Sequence, residues 1–325
     1  MLLVTGGGGF IGSNLVAHLN DGGHTDITVC DALGTDEKWR NLAKRRIADL
    51  IAPRELLSWL AGRKLEAILH LGAISDTTAR DADLVLETNF HLPLALLDWC
   101  TGSGTRLIYA SSAATYGNGP SFDDDWTPEA LARLRPLNLY GLSKHLFDQA
   151  LADRLAAGAR LPTQWAGLKF FNVFGPNEYH KGEMMSLIAK RFDEAKAGKP
   201  VRLFKLHRAG IGDGEQKRDF IYVDDAVAVI DWLIKTPAVS GIFNVGTGEA
   251  RSFRDLISAM FASLGMAPRI DYVDMPLSIR GQYQYFTQAS VERLRGAGYN
   301  AGFTPLEEAV ATYVKSFLDQ PDRYR

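Results

Sequence analysis

Cysteine is nearly absent: Cys30 and Cys100 are the only two in 325 residues, far apart and each inside an apolar segment. That excludes a disulfide framework and a cysteine metal site, and leaves two reduced, buried thiols as the expectation. Long hydrophobic runs are absent too. No stretch approaches the roughly 18 apolar residues of a membrane span, and no cationic region precedes the apolar strand after Met1, so a soluble cytoplasmic chain with no membrane contact is expected. Charge of one sign is also missing. The 36 Lys and Arg nearly balance 38 Asp and Glu, for a formal net charge of −2, which is unlike the basic footprint of a nucleic-acid binder. At 46% hydrophobic and 23% charged residues the chain is not disordered, and its length buries a large core. No internal repeat or low-complexity tract is visible.

What is present is an alternation of strand and helix. "LLVT", "DITVCD", "LEAILHLG", "RLIYASS" and "WAGLKFFNV" read as short apolar strands, separated by helical stretches such as "FIGSNLVAHLN" and "LVLETNFHLPLALLDWC". Near-continuous apolar strands joined by helical crossovers predict an α/β fold with a doubly wound parallel sheet, the Rossmann architecture, over residues 1–174. After Gly175-Pro176 the pattern changes to amphipathic helices: "EMMSLIAKRFDEAKAGK", "VDDAVAVIDWLIK", "SFRDLISAMFASLG" and "PLEEAVATYVKSFLD". They predict a smaller, mainly helical C-terminal substrate domain over 175–325. The strand-like "GIFNVGTGE" points to a return to the first domain near 219–248. The glycine-bearing "HRAGIGDGEQ" (207–216) reads as a loop over a site.

"VTGGGGFIGSN" places Gly6, Gly9 and Gly12 between a strand and a helix. One glycine permits the tight turn, a second admits a pyrophosphate close to backbone N–H groups, and a third lets the helix pack against the strand. The helix N-terminus then faces the negative charge. Asp31 follows Gly12 by 19 residues, at the end of the second strand, where an adenosine-ribose ligand belongs. These features favour a dinucleotide over a ligand-free turn. Asp31 suits a free ribose hydroxyl, whereas Lys38, Arg40 and the Lys44-Arg45-Arg46 run suit a 2′-phosphate; the run also reads as a solvated face. Asp49 is either a helix cap or a partner for the adenine amino group.

"NLYGLSKHLF" sets Tyr140 four residues before Lys144, on one helical face. A cation within about 4–6 Å lowers the pKa of a tyrosine from near 10, so the pair is expected to work as an acid or base closer to neutral pH. Ser112, just past the end of the fifth apparent strand, is placed to bond the same substrate oxygen. Alone, Tyr-x-x-x-Lys is surface decoration more often than chemistry. With the glycine loop it points to proton transfer coupled to hydride transfer.

These residues, with Asn89 and the serine segment ending in "TYG", resemble the extended short-chain dehydrogenase/reductase family. Its sugar-nucleotide epimerases and dehydratases are the most similar members. The likeness runs through "NFHLPLALLDWC", "YASSAATYGNG", "RPLNLYGLSKHLFD", "KFFNVFGPNEYHKGEMMS", "KRDFIYVDDA", "SGIFNVGTGEARSF" and "RGQYQYFTQA", to about "KSFLDQ". It implies an isomerase that inverts C6″ of an ADP-heptose by transient oxidation and reduction, with a tightly bound NADP, NAD being the alternative. The pathway so implied supplies heptose for the lipopolysaccharide inner core, and a homo-oligomer is implied as well.

Inversion needs proton exchange in two orientations, and the resemblance assigns the second to Lys181, a lysine that must be desolvated or placed near positive charge to act as a base. Without the resemblance it reads as a loop lysine. Phe10, Ile11, Leu71, Gly72, Ala73, Asn89 and Val173, with Lys144 and Lys181, are implied to hold the dinucleotide. Asn172, Phe204, Arg218 and Tyr283, with Ser112, are implied to hold the substrate, the guanidinium of Arg218 matching a diphosphate. An ion pair of Arg218 with Asp219 or Asp224 is the plainer alternative, and the "YQYF" around Tyr283 suits a core equally well. His70 and His180 lack metal-ligand spacing and read as structural or cofactor-adjacent, with no metal. The sugar-nucleotide dehydratases carry an acidic pair beside the catalytic Ser or Thr; here Ala113-Ala114 stands there, so dehydration lacks its acid and base. Ala32, Pro53 and Glu183 also depart from the family pattern, the first two where the dinucleotide phosphate is read. A net reductase or 4-epimerase on another sugar nucleotide and a dinucleotide sensor without chemistry are the competing readings, the sensor being disfavoured by the presence of Ser112, Tyr140 and Lys144 together.

Overall fold

The computed structural model describes residues 1–119, 121–206, 212–276 and 284–325. Seven parallel strands form the central sheet: β1 (Leu2–Thr5), β2 (Ile27–Cys30), β3 (Asp49–Ile51), β4 (Ala67–His70), β5 (Arg106–Ser112), β6 (Trp165–Phe170) and β10 (Gly241–Val245). Their order across the sheet is β10-β6-β5-β4-β1-β2-β3. The direction of winding reverses between β1 and β4, so the loops after these two strands open a crevice at their carboxyl ends.

Helices cover both faces. Among the described residues they are, in chain order, α1 (Phe10–Asp21), α2 (Leu56–Leu60), α3 (Ala82–Leu86), α4 (Leu92–Ser103), α5 (Pro128–Leu131), α6 (Leu139–Ala156), α7 (Leu187–Lys196), α8 (Val223–Lys235), α9 (Phe253–Ser263), α10 (Glu292–Gly296) and α11 (Leu306–Tyr313). A π-helical stretch, Glu87–His91, joins α3 to α4. Alternate residues of each strand serve opposite faces. Leu2 and Val4 join Leu15 and Val16 of α1 and Val227 and Ile230 of α8 in one core. Leu3 and Ile68 join Leu96 and Leu97 of α4 and Phe147 and Leu151 of α6 in the other. Burial on both sides is why the strands read as continuous apolar runs.

The single run "WAGLKFFNV" is two strands. The chain leaves the central sheet at Phe171, and β7 (Asn172–Phe174) pairs with β9 (Lys217–Tyr222) in a second sheet of order β11-β9-β7, with β11 at Ala250–Ser252. A third sheet pairs β8 (Val201–Phe204) with β12 (Ile270–Val273). The second half thus carries small sheets as well as helices; β8, β11 and β12 are only partly buried and so lack the continuous apolar run of a strand covered on both faces. Of the stretch near 219–248, β10 pairs with β6 in the central sheet, whereas β9 belongs to the second. Among the described residues no helix is long and apolar enough to cross a membrane.

Candidate active site

A cleft of about 670 Å³ lies at the carboxyl ends of the central strands, between the glycine loop and the second half of the chain. The glycine loop is closely packed. Gly6 has φ +67°, and a Cβ there would sit 2.6 Å from the backbone of Gly72; a Cβ on Gly12 would sit 2.1 Å from the Gly6 carbonyl oxygen. Gly9 is the N-cap of α1 and offers no side chain to cap it, so the helix start is left to a ligand. This close packing brings the start of α1 to the edge of the cleft, where its N–H groups suit a pyrophosphate. Phe10, Ile11, Leu71 and Ala73 line the same end of the cleft.

Asp31 lines it too, accepting from the Gly8 N–H at 2.8 Å and from Lys38 Nζ at 2.7 Å. Lys38 also donates to the Ala32 carbonyl at 3.0 Å. Lys44 is directed elsewhere, to Asp322 and to the Tyr324 carbonyl. Asp49 begins β3, exposed, and turns its carboxylate to the N–H of Leu50. It caps no helix and is not part of the cleft lining. Asn89 is fully buried behind the cleft, bonded to both backbone groups of Ile74 and to Ser143, so it shapes the loop after β4 without lining the site.

Tyr140 and Lys144 share the inner face of α6, which Asn138 starts by accepting from the Gly141 N–H at 2.8 Å. Asp148, one turn further on, is fully buried and accepts from Tyr109, Ser111 and Lys169, the last at 2.7 Å. Lys169 reaches it from β6 and also donates to Thr115 at 2.7 Å. Burial lowers the Lys144 pKa from 10.5 to about 8, against the opposing pull of Asp148. Tyr140 behaves otherwise than the spacing implied: its pKa is raised, chiefly by burial and also by Asp148, with the Ser112 hydrogen bond opposing. A lysine that is itself desolvated does not offset the phenol's desolvation. Ser112 ends β5 and accepts from the Ala114 N–H at 3.1 Å. His70, buried beside Lys144, bonds Thr5 at 2.7 Å and is lowered by burial to about 3. It is neutral at neutral pH.

Lys181 enters from the second half of the chain, on a short turn over Tyr179–Met184, with its ammonium 5.1 Å from the centre of the Phe10 ring. Its pKa is lowered by burial, with Glu178 pulling the other way. Glu178 is buried and holds the turn by accepting from Ser186 and Gly175. Asn172 and Val173 at the start of β7, Phe204 at the end of β8, and Arg218 on β9 complete this side. Arg218 is buried and donates to the carbonyls of Lys217 and Gln284. Asp219 instead collects the N–H groups of Thr247, Gly248 and Ala289, and Asp224 takes Arg325. Tyr283 and residues 207–211 of the glycine-bearing loop lie outside the described residues. The sequence reading missed Phe170, Phe171, Phe220 and Phe253 as lining residues. Phenylalanines in strands and at a helix start signal core, and nothing local marks which one faces a cleft. Among the described residues, no cluster of three or more His, Cys, Asp or Glu is arranged to hold a metal ion.

A model of the NAD dependent epimerase/dehydratase family matches residues 2–246. A curated relative from Nitratidesulfovibrio vulgaris (strain DP4), named ADP-L-glycero-D-manno-heptose-6-epimerase, is 46% identical over 330 residues, covering 100% of both chains. The crystal structure of the Helicobacter pylori ADP-L-glycero-D-manno-heptose-6-epimerase superposes with a TM-score of 0.80 at 28% identity, covering 97% of this chain and 95% of that one. Thermus thermophilus UDP-glucose 4-epimerase, solved in complex with NAD, superposes at 0.73 with 26% identity, covering 96% and 97%.

Proposed function

The chain belongs to the NAD-dependent epimerase/dehydratase family, and from that premise we propose that it inverts C6″ of ADP-glycero-manno-heptose. The observation that carries this reading is a single cleft holding two proton-handling groups from different elements with pKa values pushed apart. Tyr140 is raised and Lys181 is lowered. Such a pair divides naturally into acid and base.

A nicotinamide dinucleotide in the glycine-loop cradle would accept a hydride from C6″ and return it. The residues do the rest. Lys181, with its charged form disfavoured by burial, takes the proton from the C6″ hydroxyl as the carbon is oxidised. Once the ketone presents its other face, Ser112 and Tyr140 hold its oxygen, and Tyr140, kept protonated by burial, donates the proton that completes the inverted alcohol. Lys181 then releases the proton it took and Tyr140 regains the one it gave, both by exchange with solvent, and in the opposite direction they trade roles. Asn172 orients the sugar and Arg218 meets the diphosphate. Ala113 and Ala114 follow Ser112, so no carboxylate is present there to drive elimination.

We propose NADP as the resident dinucleotide. Lys38 lies 2.7 Å from Asp31, so an ammonium compensates the carboxylate that would otherwise repel a 2′-phosphate. Supply of heptose for the lipopolysaccharide inner core is the corresponding biological role. The test is NMR of ADP-D-glycero-D-manno-heptose incubated with purified protein and no added cofactor. Conversion to the L-glycero isomer without net change in absorbance at 340 nm supports the reading. An untouched heptose, with another sugar nucleotide converted or NADPH consumed, overturns it.

A further inference from the structure

Three parts of the dinucleotide site meet at one buried side chain. Asn41 sits on the short helix Glu37–Leu42 that carries Lys38, and its amide nitrogen lies 2.9 Å from the Gly8 carbonyl, 3.1 Å from the Asn177 carbonyl and 3.3 Å from His180 Nδ1. It ties the glycine loop to the segment that bears Lys181. Asn177 has φ +70°, a strained value for a non-glycine residue that must be held in place by its surroundings.

Residues 322–325 wrap the outside of this joint. The Arg325 N–H donates to Asn177 Oδ1 at 2.9 Å, and its guanidinium reaches Asn14 of α1 and Asp224 of α8. The Tyr324 ring stands edge-on to Tyr179 at 5.2 Å and lies 4.7 Å from the Arg40 guanidinium, two residues from Lys38. The Arg323 carbonyl accepts from the Tyr179 hydroxyl at 2.9 Å, and Asp322 pairs with Lys44 at 2.8 Å. One short stretch therefore grips both the Lys38 helix and the Lys181 turn, yet none of its residues lines the cleft.

We propose that residues 322–325 are a strap that positions Lys38 and Lys181 across the mouth of the dinucleotide site and sets how slowly the dinucleotide leaves. Tyr324 and Arg325 are positioning residues in this scheme. The inference rests on the dinucleotide reading of the cleft and is independent of which sugar the site takes.

The test follows loss of bound NADP from the full-length protein, loaded and then diluted into a scavenging dehydrogenase, alongside thermal unfolding. Loss of one aromatic and one cation–π contact makes Tyr324→Ala release NADP roughly tenfold faster. Tyr324→Phe, which keeps the ring, releases it at the wild-type rate, and a chain ended after Gln320 is at least as fast as Tyr324→Ala. Wild-type retention in both Tyr324→Ala and the shortened chain overturns the strap. So does equal acceleration in Tyr324→Ala and Tyr324→Phe accompanied by equal loss of thermal stability. If the shortened chain does not fold, the two Tyr324 variants decide. A wild-type protein that takes up no dinucleotide overturns the cofactor reading, and the strap with it.

Discussion

Lys144→Met should stabilise the dinucleotide-free protein at neutral pH while abolishing turnover. Burial holds the Lys144 pKa at about 8, from the ordinary 10.5. A base with a lowered folded-state pKa is charged in the unfolded chain where it is neutral in the fold. Between pH 8 and 10.5 the unfolded state therefore binds more protons, and stability rises with pH. Below pH 8 the fold carries the whole cost of the buried charge, about 3 kcal/mol from that difference in pKa. Methionine has similar volume and no charge. The change orphans no partner, because Asp148 keeps Lys169 at 2.7 Å. Urea unfolding of both proteins near pH 7 and near pH 10.5 measures the effect. The variant should be more stable by up to about 3 kcal/mol at pH 7, and the advantage should vanish near pH 10.5. A variant less stable at pH 7, or an offset that does not change with pH, would refute the reasoning.

Tyr140→Phe removes the acid and should cut turnover by roughly 10²–10⁴-fold with the dinucleotide still bound, read by NMR assay and by absorbance of the purified protein. Lys181→Met should lower turnover over a similar range with Tyr140 intact. If either variant retained wild-type rates, the acid–base division would be wrong. In Gly12→Ala the new Cβ would meet the Gly6 carbonyl oxygen at 2.1 Å, so the helix must shift off the loop and the protein should purify without dinucleotide. Asp148→Asn strands the Lys169 ammonium, which is 1% exposed, and should destabilise the fold by about 3–5 kcal/mol in denaturant titration.

The features legible in the sequence were local ones. Gly6, Gly9 and Gly12 lie within one short loop and helix start, and Tyr140 and Lys144 within one helical repeat; each spacing was visible locally, and the two read together pointed to one cleft. The parallel sheet was equally plain, because burial on both faces leaves uninterrupted apolar strands. What escaped depends on contacts between distant segments. Lys169 sits in an apolar strand, where its neighbours say nothing of Asp148 across the core. Nothing local in "PDRYR" marks a contact, and Lys44 reads as part of a solvated run; that Asp322 and Lys44 pair follows only from the fold. The direction of the Tyr140 shift was misjudged for a related reason. Spacing brings a cation near, but burial of the whole face decides what that cation is worth.

In the proposed mechanism hydride leaves C6″ and returns to the same carbon within one closed site. ADP-heptose carrying deuterium at C6″, incubated in ordinary water with the purified protein and no added cofactor, tests it most directly. The expected result is an inverted product that keeps its deuterium at C6″, seen by NMR and by unchanged mass. Inversion accompanied by loss of the label to water would contradict it, because the proton at carbon would then have come from solvent and the Tyr140–Lys181 division at oxygen would have no part in the inversion.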